Sequence, residues 1–143
     1  MTDPLEVSVH IAARPEIVFS YFTDPARYTQ WMGRQAILEP VPGGRYRVSM
    51  RDGLATAGQF VEVDPPHRLV FTWGWTNDPA VPPGSTRVEV TFTHENGGTR
   101  VVLRHHGLPS HEQTDHHRKG WDLYLARLAI RATHGDPGPD PST

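Results

Sequence analysis

The sequence predicts an α+β fold: one half-buried strand, two short helices, a run of antiparallel strands, and a long amphipathic helix at the end. Two observations predict it. Apolar residues alternate with period two through LEVSVHI, RYRVSM, HRLVFTWGW and STRVEVTF, across most of the 143-residue chain. After Leu108 the period changes, and Trp121, Tyr124, Leu125, Leu128 and Ala132 recur at helical spacing. The length suits one domain, placed at residues 1–134, with 135–143 read as a disordered tail because HGDPGPDPST has nothing to bury.

Each element follows from local chemistry. LEVSVHI puts Leu5, Val7, Val9 and Ile11 on one face of a strand. Pro15 suits the first turn of a helix whose apolar side is Ile17, Val18, Tyr21 and Phe22. Asp24 can cap a second helix with Pro25 at its first position, ending near Trp31 and Met32. Tyr46, Val48 and Met50 then face inward, with Arg45, Arg47, Ser49 and Arg51 outward on a solvated face. In LATAGQFVEV, Val61 and Val63 share a face that Phe60 does not, which places a bulge at Gly58. HRLVFTWGW aligns Leu69, Phe71, Trp73 and Trp75, and NDPAVPPG is a loop. Val88, Val90 and Phe92 point inward, HENGG turns the chain, and Val101, Leu103 and His105 return on the inner side. Ser110 and Gln113 have capping-box spacing at the start of the last helix.

Composition removes several functions. A net charge of −2 provides no basic surface for nucleic acid. No apolar run spans a bilayer, and MTDPLEVSV lacks the form of a signal peptide, so the expected location is the cytoplasm. The absence of cysteine fits a reducing compartment and excludes a disulfide framework or a cysteine zinc site. The histidines of HHGLPSHEQTDHH lack metal-ligand spacing, since His116 and His117 lie at other helical angles than His111 and Asp115; they read as a solvated polar face. There is no G-x-S-x-G elbow and no phosphate-binding glycine loop. No metal and no cofactor are expected.

A width argument points to a ligand. A helix is about 10–12 Å across, whereas six or seven strands are spaced ~4.8 Å apart. One helix therefore cannot cover the inner face of such a sheet, and what it leaves is either filled by large side chains or open.

The order VHIAARPEIVFSYFTDPARYTQWM, PGGRYRVSM, GQFVEVDPPHRLVFTWGW, GGTRVVLRHHGL and HHRKGWDLYLARL resembles the START-like (SRPBCC) superfamily. More narrowly, it resembles the branch named after the C-terminal domain of the activator of heat-shock-protein-90 ATPase. DPPHRLVFTW and the GW opening the final helix are the most specific pieces, and the likeness runs from about Leu5 to Ala132. It implies a helix-grip fold, a curved antiparallel sheet wrapped around the C-terminal helix with a cavity between. Members include co-chaperone domains, lipid carriers, polyketide cyclases and stand-alone bacterial proteins, with no shared catalytic motif. The eukaryotic co-chaperone has a separate N-terminal domain, whereas this sequence begins at the first strand, so a chaperone partner is not expected.

The expected binding wall is Trp31, Tyr46, Val48, Met50, Phe71, Trp73, Trp75, Phe92, Leu103, His105, Trp121 and Tyr124. Plain core packing competes for each of them. Trp73 and Trp75 stand where a cavity mouth would be, and a rigid indole provides large contact area at low entropic cost. Gly120 costs about 1 kcal/mol mid-helix relative to alanine, which favours close approach or an opening there. His105 is the one ionisable group whose strand parity points inward; it is either satisfied by a buried hydrogen bond or acts as a polar anchor or acid–base. The leading expectation is a binder of an apolar or aromatic small molecule. The alternatives are a cyclase or aromatase-like enzyme in the same cavity, with His105 as its weak catalytic candidate, and a protein-interaction module. A homodimer is left open.

Overall fold

A computed structural model describes residues 4–51 and 53–141. The elements follow the expected order: β1 (Leu5–Ile11), α1 (Pro15–Thr23), α2 (Pro25–Tyr28), β2 (Gln35–Leu38), β3 (Arg45–Ser49), β4 (Ala55–Asp64), β5 (Arg68–Trp73), β6 (Thr86–Glu95), β7 (Gly98–His106) and α3 (His111–Ala132). The seven strands form one antiparallel sheet in the order β1-β7-β6-β5-β4-β3-β2. The curved sheet grips α3, the helix-grip plan of an α+β protein. No helix among the described residues is long and apolar enough to cross a membrane.

Local chemistry sets the boundaries. Asp24 Oδ1 accepts from Ala26 N at 2.9 Å, capping α2. Ser110 Oγ accepts from Gln113 N at 3.1 Å, so the N-cap half of the expected capping box starts α3. The β6–β7 hairpin turns on Asn96 and Gly97, both at positive φ (48° and 74°), the conformation that Asn-Gly tolerates. Inward parity in β3, β6 and β7 is as read: Tyr46, Val48, Val88, Val90, Phe92, Val101, Leu103 and His105 are all buried.

Several local details differ from the sequence reading. The second helix stops at Tyr28. Trp31 and Met32 lie beyond it, and the Trp31 indole N–H donates back to Tyr21 O at 2.9 Å. Burying that indole against Phe22 and Tyr28, with centroids 5.0 and 4.7 Å away, prevails over another helical turn. The β4 irregularity falls between Phe60 and Glu62, not at Gly58, and turns Phe60 inward and Val61 outward. Gly58 meets a different demand, because a Cβ there would lie 2.0 Å from the Thr72 carbonyl oxygen. Trp75 falls past the end of β5 and is held by an isolated bridge to Thr56. The chain after α3, expected to have nothing to bury, packs on the body. Asp140 accepts from the Tyr124 hydroxyl at 2.7 Å and from Gly33 N at 2.8 Å, while Arg127 donates to Pro137 O and Pro139 O.

Much of the trough is solid. Tyr46 stacks on Phe71 at 4.2 Å, and Phe92 meets Phe19 and Phe22 edge-on at 5.1 and 5.4 Å. The Tyr28 and Tyr46 hydroxyls bond to each other inside this cluster, and burial pushes both phenols above their ordinary range. α3 packs chiefly on β1 and touches α1, leaving the far end of the trough to other side chains.

Candidate functional site

At that end, between the β5 terminus and the middle of α3, lies an open cleft of about 430 Å³. Its apolar wall is Met32, Met50, Trp73, Trp75, Trp121 and Tyr124. The loop after β5 folds over one side, with Trp75 N donating to Val81 O at 2.7 Å and Gln113 Nε2 to Asp78 Oδ2 at 3.3 Å. Gly120 also lines the cleft, and a Cβ there would meet nothing within 4 Å, so this glycine faces open space.

The three tryptophans form a compact group: Trp73 lies 4.9 Å from Trp121 and 5.3 Å from Trp75, centroid to centroid. Two imidazoles hold the outer pair. The Trp121 indole N–H donates to His105 Nδ1 at 3.1 Å, and that of Trp75 to His117 Nε2 at 3.0 Å. An indole can only donate, so each receiving nitrogen must be unprotonated. The other nitrogen of each ring then donates: His105 Nε2 to Thr86 Oγ1 at 2.8 Å, and His117 Nδ1 to Gln113 O at 2.8 Å. Thr86 passes the chain on to Trp73 O at 2.8 Å. Both histidines are thereby held neutral. Desolvation, with the neighbouring His117 and His106 adding to it, pushes His105 well below the usual histidine value. Burial likewise lowers His117, with His116 adding to it, against opposing effects of Gln113 O and Asp78.

Trp73 is different. Its indole nitrogen is buried and has no hydrogen-bond partner among the described residues. The Thr56 hydroxyl, on the neighbouring strand, is the other buried side-chain polar atom in that condition. A buried donor left unpaired costs about 1–3 kcal/mol.

Five of the expected wall residues, Met50, Trp73, Trp75, Trp121 and Tyr124, come together on the cleft. Tyr46, Val48, Phe71, Phe92 and Leu103 are instead buried in the solid part of the trough, and Trp31 lies beneath α1. His105 stands behind the cleft with both nitrogens committed, and does not line it. His117, read as part of a solvated face, is buried and lines the cleft. The signal for it was present: His117 precedes Trp121 by four residues and extends the same helical stripe.

The comparisons fit this architecture. The family model described as activator of Hsp90 ATPase homolog 1-like protein matches residues 12–132. The chain belongs to that family, a branch of the START-like class that the fold defines. The human activator of 90 kDa heat shock protein ATPase homolog 1 is 27% identical over 121 residues, covering 85% of this chain and 34% of the human protein. The chain thus spans about a third of the length of the curated relatives it matches. A solved AHSA1-like protein of Rhizobium etli is 42% identical with a TM-score of 0.76, covering 99% of this chain and 88% of its own. DynU16, from the dynemicin biosynthetic locus, is 27% identical with a TM-score of 0.82, covering 96% of this chain and 49% of its own.

Proposed function

We propose that the protein binds a small molecule with a flat, apolar body in the cleft beside α3. The observation that carries this reading is a hollow of about 430 Å³ walled by three tryptophans. Ligand sites of this kind are concave, mostly apolar and furnished with a few placed polar groups, in hollows of roughly 300–1,000 Å³. The two imidazole clamps fix Trp75 and Trp121 in advance, so little freedom is lost when a guest stacks there. The test is intrinsic tryptophan fluorescence titrated with a panel of flat aromatic and aliphatic molecules, alongside native mass spectrometry of the purified protein. Saturable quenching or a blue shift is expected as a guest stacks on the tryptophans. No response across the panel, with no bound mass, overturns the reading.

A second reading, a cyclase or aromatase-like enzyme in the same cleft, draws support from the likeness to DynU16. Here His105 would act through the position of Trp121, since both its nitrogens are committed. Chemical change in a bound panel member over time, absent from boiled protein, would favour it. Stimulation of a heat-shock-protein-90 ATPase by the purified chain would favour the activity named for its longer relatives.

A further inference from the structure

The cleft mouth carries an electrostatic signature that the apolar wall does not explain. Arg51, on the turn after β3, and Lys119 of α3 both line the cleft. Arg51 also lines a second, adjoining hollow of about 440 Å³ at the end of the β2–β3–β4 edge. Arg34 and Arg47 line that hollow too, and Met50 and Leu54 form the partition that both share.

Most arginines of this protein are engaged. Arg45, Arg68, Arg100, Arg104 and Arg131 pair with carboxylates. Arg27 bonds to Ser20 and Arg127 to backbone carbonyls. Arg34, Arg47, Arg51 and Lys119 have no ion pair among the described residues; Arg51 and Lys119 line the cleft, and Arg34 and Arg47 the adjoining hollow. The acidic residue on the cleft lining, Asp78, already accepts from Ala80 N at 2.9 Å and from the Gln113 amide. Among the described lining residues two cations, Arg51 and Lys119, thus face one carboxylate, Asp78, and the excess positive charge favours an anion beside them. Guanidinium groups also bind carboxylate, phosphate or sulfonate oxygens in pairs, which gives direction as well as attraction.

We propose that the natural ligand is an amphipathic anion: its apolar body lies in the tryptophan cleft and its acidic head is held by Arg51 and Lys119, the two cations that line it. This rests on the cleft being a ligand site, and it adds the ligand's charge and direction of entry.

A matched pair of fluorescent probes tests it. Anilinonaphthalene sulfonate carries an apolar body and an acidic head; phenylnaphthylamine has the same body without the acid. The wild type is expected to bind the sulfonate about tenfold more tightly, and added salt to narrow the gap. Arg51→Ala is expected to lose about tenfold for the sulfonate, as is Lys119→Ala, with phenylnaphthylamine unchanged. Arg87→Ala on β6, outside both hollows, removes the same charge and should change neither probe. Equal affinities for the two probes, or equal losses in Arg87→Ala and Arg51→Ala, overturn the inference while leaving the cleft reading intact. Failure of both probes on the wild type overturns both. Inorganic sulfate, exchanged for chloride at fixed ionic strength, is expected to compete only weakly. Competition as strong as that of the full probe would make the rim a separate anion site and defeat the proposal.

Discussion

His105 shows how one buried residue sets several others. Strand parity brings it inward, and burial alone would leave a costly polar ring in an apolar setting. Thr86 and Trp121 satisfy it from both sides, at 2.8 and 3.1 Å. His105→Leu should leave the Trp121 N–H unpaired and destabilise the fold by about 1–3 kcal/mol in chemical denaturation. It should also release the Trp121 ring, seen as a change in near-ultraviolet circular dichroism. An unchanged denaturation midpoint would show that the Trp121–His105 bond contributes nothing. Parity was enough to predict that His105 points inward. The two partners that use up its nitrogens come from β6 and α3, and no spacing in the sequence announces them.

Within α3 the helical stripe explains the buried side chains, while Gly120 runs against local preference. A glycine inside a helix costs about 1 kcal/mol relative to alanine. Packing does not require it here, because an added Cβ meets no atom within 4 Å. Gly120→Ala should therefore stabilise the protein by roughly that 1 kcal/mol, read as a raised thermal midpoint. A lowered midpoint would mean that close approach, not open space, keeps glycine at this site. The segment after α3 is set by contacts of a kind composition does not signal. Asp140 reaches both Tyr124 and Gly33, at 2.7 and 2.8 Å, and Arg127 donates to Pro137 O and Pro139 O, so a Pro- and Gly-rich stretch is pinned by a carboxylate and a guanidinium.

Across the whole molecule the buried histidines should govern mild acid sensitivity. Burial lowers both His105 and His117 from the ordinary value of 6.5. The unfolded chain therefore takes up protons that the native state refuses, and stability falls as pH drops through 6.5 and below. Above that value these two groups add no pH dependence. Glu89 acts lower down: desolvation raises it, but bonds from His106 and Arg68 outweigh that and hold it below the ordinary 4.5, so its contribution is lost beneath that pH. Urea midpoints measured from neutrality to pH 5 should decline in the wild type and decline less in His117→Gln. A flat wild-type profile would count against the neutral buried pair.

The sequence by itself determined the order of the elements, the inward faces of the strands and the stripe of α3, because periods of two and 3.6 residues are local properties of a chain that must bury one face. It also led to the family. The end of α2 at Tyr28, the inward Phe60 and the burial of His117 were decided only in the tertiary structure, where aromatic rings compete for one interior. The width mismatch between one helix and a seven-stranded sheet was legible in advance, but where the leftover space would lie was not. α3 leans toward β1, aromatic side chains fill the near part of the trough, and the remainder opens beside Trp73, an outcome of three-dimensional packing that no pattern along the chain contains.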